Sequence, residues 1–209
     1  MAFSDYKNIA QVQTQFQIKY QEEEFIATQE VAPSQHFLTE FEFNRVNLDI
    51  FSSEGARSEI IIFPILREAY KNYAQRYSLF VQRYLRCDEE LSGTPDYIIA
   101  TKSPLGKTVL ELPLIVLAEA KKNDFEQGWG QCLAELVAAQ RLNRTPHFPI
   151  YGIVTDGNLW QFGKLVEAVF TKESSNYTVD DLAQLFGALH FILQAIADAN
   201  YQPQQAHGV

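Results

Sequence analysis

Two apolar runs in this chain carry acidic chemistry at one edge. Thr94-Pro95-Asp96-Tyr97-Ile98-Ile99-Ala100 opens on an aspartate, and Leu114-Ile115-Val116-Leu117-Ala118-Glu119-Ala120-Lys121 closes on an acid-x-lysine triplet. Both read as strands. An Asp at the start of one strand and a Glu at the end of another offer hard oxygen ligands to a divalent ion such as magnesium or manganese. Residues two apart on a strand point the same way, so Lys121 stands over the pocket that Glu119 faces. A cation there polarises a phosphate and acidifies a bound water. A lysine beside it orients that water or stabilises the charge that develops. The chemistry of this combination is phosphodiester hydrolysis.

The triplet alone proves little. With 26 acidic residues and nine lysines among 209 positions, chance predicts about one. The chain holds two, and Asp5-Tyr6-Lys7 neither ends an apolar strand nor follows an acidic partner. Context has to separate them.

The surrounding elements supply that context. Ile9, Val12 and Phe16 lie at helical spacing after Ser4, which reads as a cap. Phe16 to Tyr20 alternates and can begin a strand, and Glu22-Glu23-Glu24 reads as a solvated face. The Phe41-x-Phe43 alternation suits an extended segment within 36–50. A helix is expected over 58–73, capped by Ser58, with a stripe of Ile61, Ile62, Ile65, Leu66 and Ala69; Pro64 either kinks it or moves its start to near Phe63. Strands follow at 79–85, at 96–101 and at 109–120, the last interrupted at Pro113. Ser103 to Lys107 is a hairpin-like loop. Asp124 and Gln127 form a capping-box start for a helix that Asn143 to Pro146 stops. Ile150 to Val154 and Leu159 to Phe162 flank the hairpin turn Thr155-Asp156-Gly157-Asn158. An amphipathic helix, capped near Asp180 or Asp181, covers 179–199. A mixed sheet flanked by helices accommodates this α/β order.

The order and the residues resemble the PD-(D/E)XK nuclease superfamily, whose members share the restriction-endonuclease-like fold. Pro95-Asp96 and Glu119-Ala120-Lys121 match its signature, and the loop between them fits their separation. The resemblance covers roughly 57–163. It implies that Asp96, Glu119 and Lys121 are catalytic, with Asp96 and Glu119 as metal ligands and the Ala120 backbone carbonyl as a third. It further implies an acid on the first core helix, where Glu59 falls, completing the site or holding a second ion. A glutamine on the helix after the triplet is matched by Gln131, there to order water or contact a nucleic-acid backbone. Thr155 to Trp160 is also similar to the turn and aromatic strand that close related sheets in Type I restriction subunits.

Each residue also has a structural reading. Asp96 suits a turn after Gly-Thr-Pro, and Glu119 with Lys121 suits a salt bridge at the strand's rim. Glu59 suits the first turn of a helix, Gln131 an exposed helical position, and Trp160 the core. Composition bounds the rest. The chain reads as one domain over 1–209, with an N-terminal elaboration (1–56), a nuclease-like core (57–163), a C-terminal strand and helix (164–200) and a polar tail (201–209). Cys87 and Cys132 are too few for a disulfide framework or a zinc site. No visible signal peptide and no long apolar run point to a soluble, cytoplasmic protein with no membrane partner. Net charge is −9, unusual for a protein that grips DNA by neutralising phosphates. Nine basic residues nonetheless concentrate mid-chain: Arg57, Arg67, Arg76, Arg83, Arg86, Lys121, Lys122, Arg141 and Arg144. Two functions follow. The first is a magnesium- or manganese-dependent nuclease acting on DNA; the second is a non-catalytic subunit or regulator that binds a protein partner or forms a homodimer.

Overall fold

The computed structural model describes residues 2–27, 29–121 and 124–198. The chain opens with α1 (Ile9–Phe16), β1 (Lys19–Glu23) and α2 (Gln35–Asn47). The short α3 (Glu54–Arg57) runs through a π-helical stretch at Ser58–Ile62 into α4 (Phe63–Lys71). Next come β2 (Tyr77–Val81), the small pair β3 (Leu85–Arg86) and β4 (Ser92–Gly93), then β5 (Tyr97–Thr101) and β6 (Glu111–Ala120). The second half contains α5 (Phe125–Asn143), β7 (Ile150–Thr155), β8 (Leu159–Val166), β9 (Val169–Glu173), β10 (Tyr177–Thr178) and α6 (Leu182–Asp198).

One mixed sheet organises these elements, in the order β1-β9-β8-β7-β6-β5-β2, with β10 on β8. The pairs β6–β7 and β1–β9 are parallel and the other pairs antiparallel. Helices cover both faces, giving two apolar cores. One lies under α2, α4 and α6 (Phe41, Ile62, Ile65, Trp160, Phe186). The other lies under α1 and α5 (Val12, Leu117, Trp129, Leu133, Phe170). Strand β6 sits between them, and Pro113 to Ala120 are all buried. That explains its unbroken apolar run, since a strand covered on both faces has no polar side to present. No helix among the described residues is long and apolar enough to cross a membrane.

Several expectations are corrected here. The Phe41–Phe43 stretch is helical rather than extended, inside a helix that Ser34 caps by accepting from the Phe37 N–H, and Phe37 and Phe41 bury one face at a spacing of four. The alternation misled because Phe43 belongs to the solvent side, at 58% exposure. Asn8 rather than Ser4 caps α1. Ser53 rather than Ser58 opens the helical path toward α4, accepting from the Ala56 N–H. The strand expected at 79–85 ends at Val81. Pro113 does not break β6; the β5–β6 register skips Leu112 and Pro113 in a bulge, where the missing N–H costs nothing. The N-terminal elaboration joins the main sheet, where β1 closes one edge on β9.

Glycines set how closely α1 approaches α5. A Cβ at Gly130 would lie 2.5 Å from the backbone N of Asn8 and 2.9 Å from the Tyr6 carbonyl oxygen. Backbone cannot swing aside as a side-chain tip can. Alanine here gains about 1 kcal/mol of helix propensity but forces the N-terminal cap off the helix. Gly130→Ala is therefore expected to lower the thermal midpoint by about 2–10 °C, measured by calorimetric unfolding.

Candidate active site at the β5–β6 edge

The site forms where two ladders run out together. The last β5–β6 pair on this side is Tyr97 with Ala118. One step further, the Asp96 side chain replaces the missing backbone partner, its Oδ2 accepting from the Ala120 N–H at 2.8 Å. On the other edge, the Lys121 N–H donates to the Thr155 carbonyl at 2.8 Å and keeps Lys121 in line with β6. A strand residue's N–H and C=O share one edge, so the Ala120 carbonyl opens on the Asp96 side.

Glu119 and Lys121 point toward α5. Glu119 is 1% exposed, and its Oε2 lies 3.1 Å from the Lys121 Nζ. The rim salt bridge anticipated from the spacing is therefore present, but it is buried. Burial raises the Glu119 pKa to about 7, helped by the charge of Asp96 and opposed by Glu135 and Lys121. Burial likewise raises Asp96, against the Ala120 N–H and the Lys121 charge that stabilise its carboxylate. For Lys121 burial works against the ammonium, but Glu119, Asp96 and Glu54 outweigh it and hold the pKa up.

Gln131 is buried rather than exposed, and its Nε2 donates to the Glu135 Oε1 at 3.3 Å. Glu135 is fully enclosed and meets Glu119; burial, then the Glu119 charge, raise its pKa well above the ordinary carboxyl value. Glu119 Oε1 and Glu135 Oε2 have no other partner. Two enclosed carboxyls in contact hold a proton between them. Gln131 thus reaches the site at one remove, through Glu135.

Glu59 is exposed and lines a cavity of about 410 Å³ with Glu54, Phe63, Gln82, Asp96 and Tyr97. Its charge is felt at Tyr97, while that of Glu54 reaches both Asp96 and Lys121. Glu54, five residues before the expected acid, thus also sends its charge into the site. Arg57 fixes that segment: its Nη1 donates to the Asp156 carbonyl at 3.2 Å, and the guanidinium lies 5.0 Å over the Phe51 ring. Sequence reasoning missed Glu54 and Glu135. Glu54 sits just after its Ser53 cap, and Glu135 lies one helical turn beyond Gln131, but neither spacing singles out the residue.

Asp96, Glu119 and Glu135 form a row rather than a ring. Among the described residues, no three His, Cys, Asp or Glu side chains converge on a point where a metal ion could sit. The oxygens gathered at this edge are those of Asp96, Glu119 and the Ala120 carbonyl, and Glu119 is 1% exposed. Of the mid-chain basic residues, Lys122 lies outside the described residues. Arg141 is committed to Asp88 at 3.0 Å and Arg83 to the Thr108 carbonyl at 3.4 Å. Trp160 is core, with 0% exposure.

Fold and site together define a mixed α/β protein with two carboxylates and a lysine at one edge of its central strands. No protein-family model matches this chain, and no curated protein matches it.

Proposed function

We propose that this chain is a metal-dependent phosphodiester hydrolase of the PD-(D/E)XK type that acts on DNA. The observation that carries the reading is the bond from Ala120 to Asp96 at 2.8 Å. It locks the acid that precedes one strand against the Glu119-x-Lys121 triplet that ends the next. Magnesium or manganese suits the available donors, which are two carboxylates and a backbone carbonyl, and an ion bound here would compete with the proton that Glu119 and Glu135 hold. When bound, such an ion polarises the scissile phosphate and acidifies a water. The protein's own part is to hold these oxygens on one rigid edge and to present the Lys121 ammonium to the phosphate charge. Glu54 adds negative field around the same mouth.

Manganese titration of the wild type against Glu119→Ala, by calorimetry, tests the ligand assignment. The variant is expected to bind at least as weakly as sites that lose an outer-shell partner, about 10–100-fold down. Identical weak heats from both proteins would show that the edge holds no ion.

A second reading is a non-catalytic subunit or regulator that docks on a protein partner or a second copy. The net charge of −9 favours it. So do Phe43, Val46, Leu48 and Phe51, exposed at 58%, 71%, 44% and 46% at the end of α2 and just beyond it. Large apolar side chains gathered in solvent mark interaction surfaces.

A further inference from the structure

A second cavity, of about 530 Å³, opens on the α5 side of the sheet, bordered by α1, α5 and strands β1, β8 and β9. Trp129 is its floor, 2% exposed, with the indole N–H donating to the Gln161 Oε1 at 2.8 Å. Phe125, half-buried, and Tyr20, 38% exposed, add ring surface at the walls. The half-buried Lys172 brings its Nζ 5.8 Å from the Trp129 ring centroid. Among the described residues no hydrogen bond or ion pair engages that ammonium. Burial holds its pKa down, the charge of Glu22 offsetting part of the effect. Glu126 is the one acidic residue in the lining.

This cavity shares a helical turn with the β5–β6 edge. Gly128 packs on Lys121 so closely that a Cβ there would lie 3.0 Å from the Lys121 Cγ. Phe125 and Trp129, from the same turn, face the cavity instead. Phe125, Gly128 and Trp129 fall within about 100° of one another around the helix, so the lysine of the site and the aromatic recess flank the same turn of α5.

We propose that the recess is a nucleobase subsite. It takes an unpaired base of the strand whose phosphodiester lies at Lys121, so the substrate is single-stranded or locally melted there. The inference rests on the nuclease reading and narrows its substrate. Aromatic side chains stack on any base, because every base has a π-face. A half-buried ammonium that no hydrogen bond or ion pair engages is stabilised by an anion, which an adjoining phosphate supplies beyond the partial offset from Glu22. A paired base stays inside the duplex stack and does not reach such a recess. The charge of −9 fits this mode better than duplex binding, since stacking rather than phosphate neutralisation supplies the affinity. With Lys172 as the main phosphate contact, log affinity falls against log salt with a slope of only about −0.7.

The test is anisotropy of a short fluorescein-labelled oligothymidylate, with calcium replacing magnesium to prevent cleavage. Competition with duplex DNA and with thymidine monophosphate runs alongside. Lys172→Gln and Tyr20→Ala are each expected to weaken oligothymidylate binding about tenfold, with unfolding temperature and duplex affinity unchanged. No binding by the wild type, or equal binding by both variants, overturns the proposal. Displacement by thymidine monophosphate as strong as by the oligonucleotide also overturns it, because the recess would then hold a free nucleotide. The two readings fail separately. Variant-sensitive binding without magnesium-dependent cleavage removes the nuclease and leaves the base site; cleavage with variant-insensitive binding does the reverse.

Discussion

Lys121→Ala is expected to reduce magnesium-dependent DNA cleavage by about 10²–10³-fold, the typical cost of removing one preorganised group that meets transition-state charge. Asp96→Asn should abolish cleavage at least as fully while leaving the fold intact. Asparagine keeps an oxygen to accept the Ala120 N–H at the position where Asp96 now accepts it at 2.8 Å, while it removes the charge and turns the other oxygen into an NH2 donor. Alanine at the same position would also strip that buried N–H of its partner, costing about 1–3 kcal/mol, and would confuse lost chemistry with lost structure. Steady-state cleavage of plasmid and of single-stranded DNA, with thermal unfolding as the control, gives the comparison. Cleavage unchanged in both variants would eliminate the nuclease reading and leave the non-catalytic one.

Metal-free protein is expected to lose stability as pH rises from about 4.5 to about 7. Glu119 moves from an ordinary carboxyl value of 4.5 when unfolded to about 7 when folded, so within that window the native state binds more protons than the unfolded chain. Stability then falls with pH. The favourable contribution is complete below the unfolded value and is gone once the folded value is passed. At about 1.36 kcal/mol per pH unit, the loss is on the order of a few kcal/mol and belongs to the Glu119–Glu135 pair together. Asp96 and Glu135 are shifted in the same direction. Lys121, held above its ordinary range, keeps its charge across the whole interval and does not alter the slope. Glu119→Gln, which is neutral at every pH, should flatten the profile of chemical-denaturation free energy between pH 5 and 8. A wild-type profile that rises across this interval would mean that the buried carboxyls are compensated by charge not seen at this edge.

Legibility from sequence followed the strength of local signals. The helix start capped by Asp124, the Thr155–Asn158 turn and the apolar run of β6 are each written in a few adjacent residues, and all three appear in the structure. The helix α2 was misread because its stripe is thin: only Phe37 and Phe41 are buried, and Phe43 mimics strand alternation. A strand is expected within 164–200, but the parallel pairing of β9 with the charged β1 is not legible, because no local pattern encodes which distant segment a strand will join.

The candidate site divides along the same line. The sequence by itself determined that Asp96 opens one strand and that Glu119 and Lys121 share a face at the end of another, because strand periodicity and turn chemistry are local properties. Tertiary structure alone decided that Asp96 bonds Ala120, that Glu135 lies against Glu119, and that the Glu54 charge reaches the lysine. It also decided how deeply the triplet is buried, and so where its protons go. Those facts depend on which elements pack together and on how much water they exclude, and neither is carried by the spacing of residues along the chain.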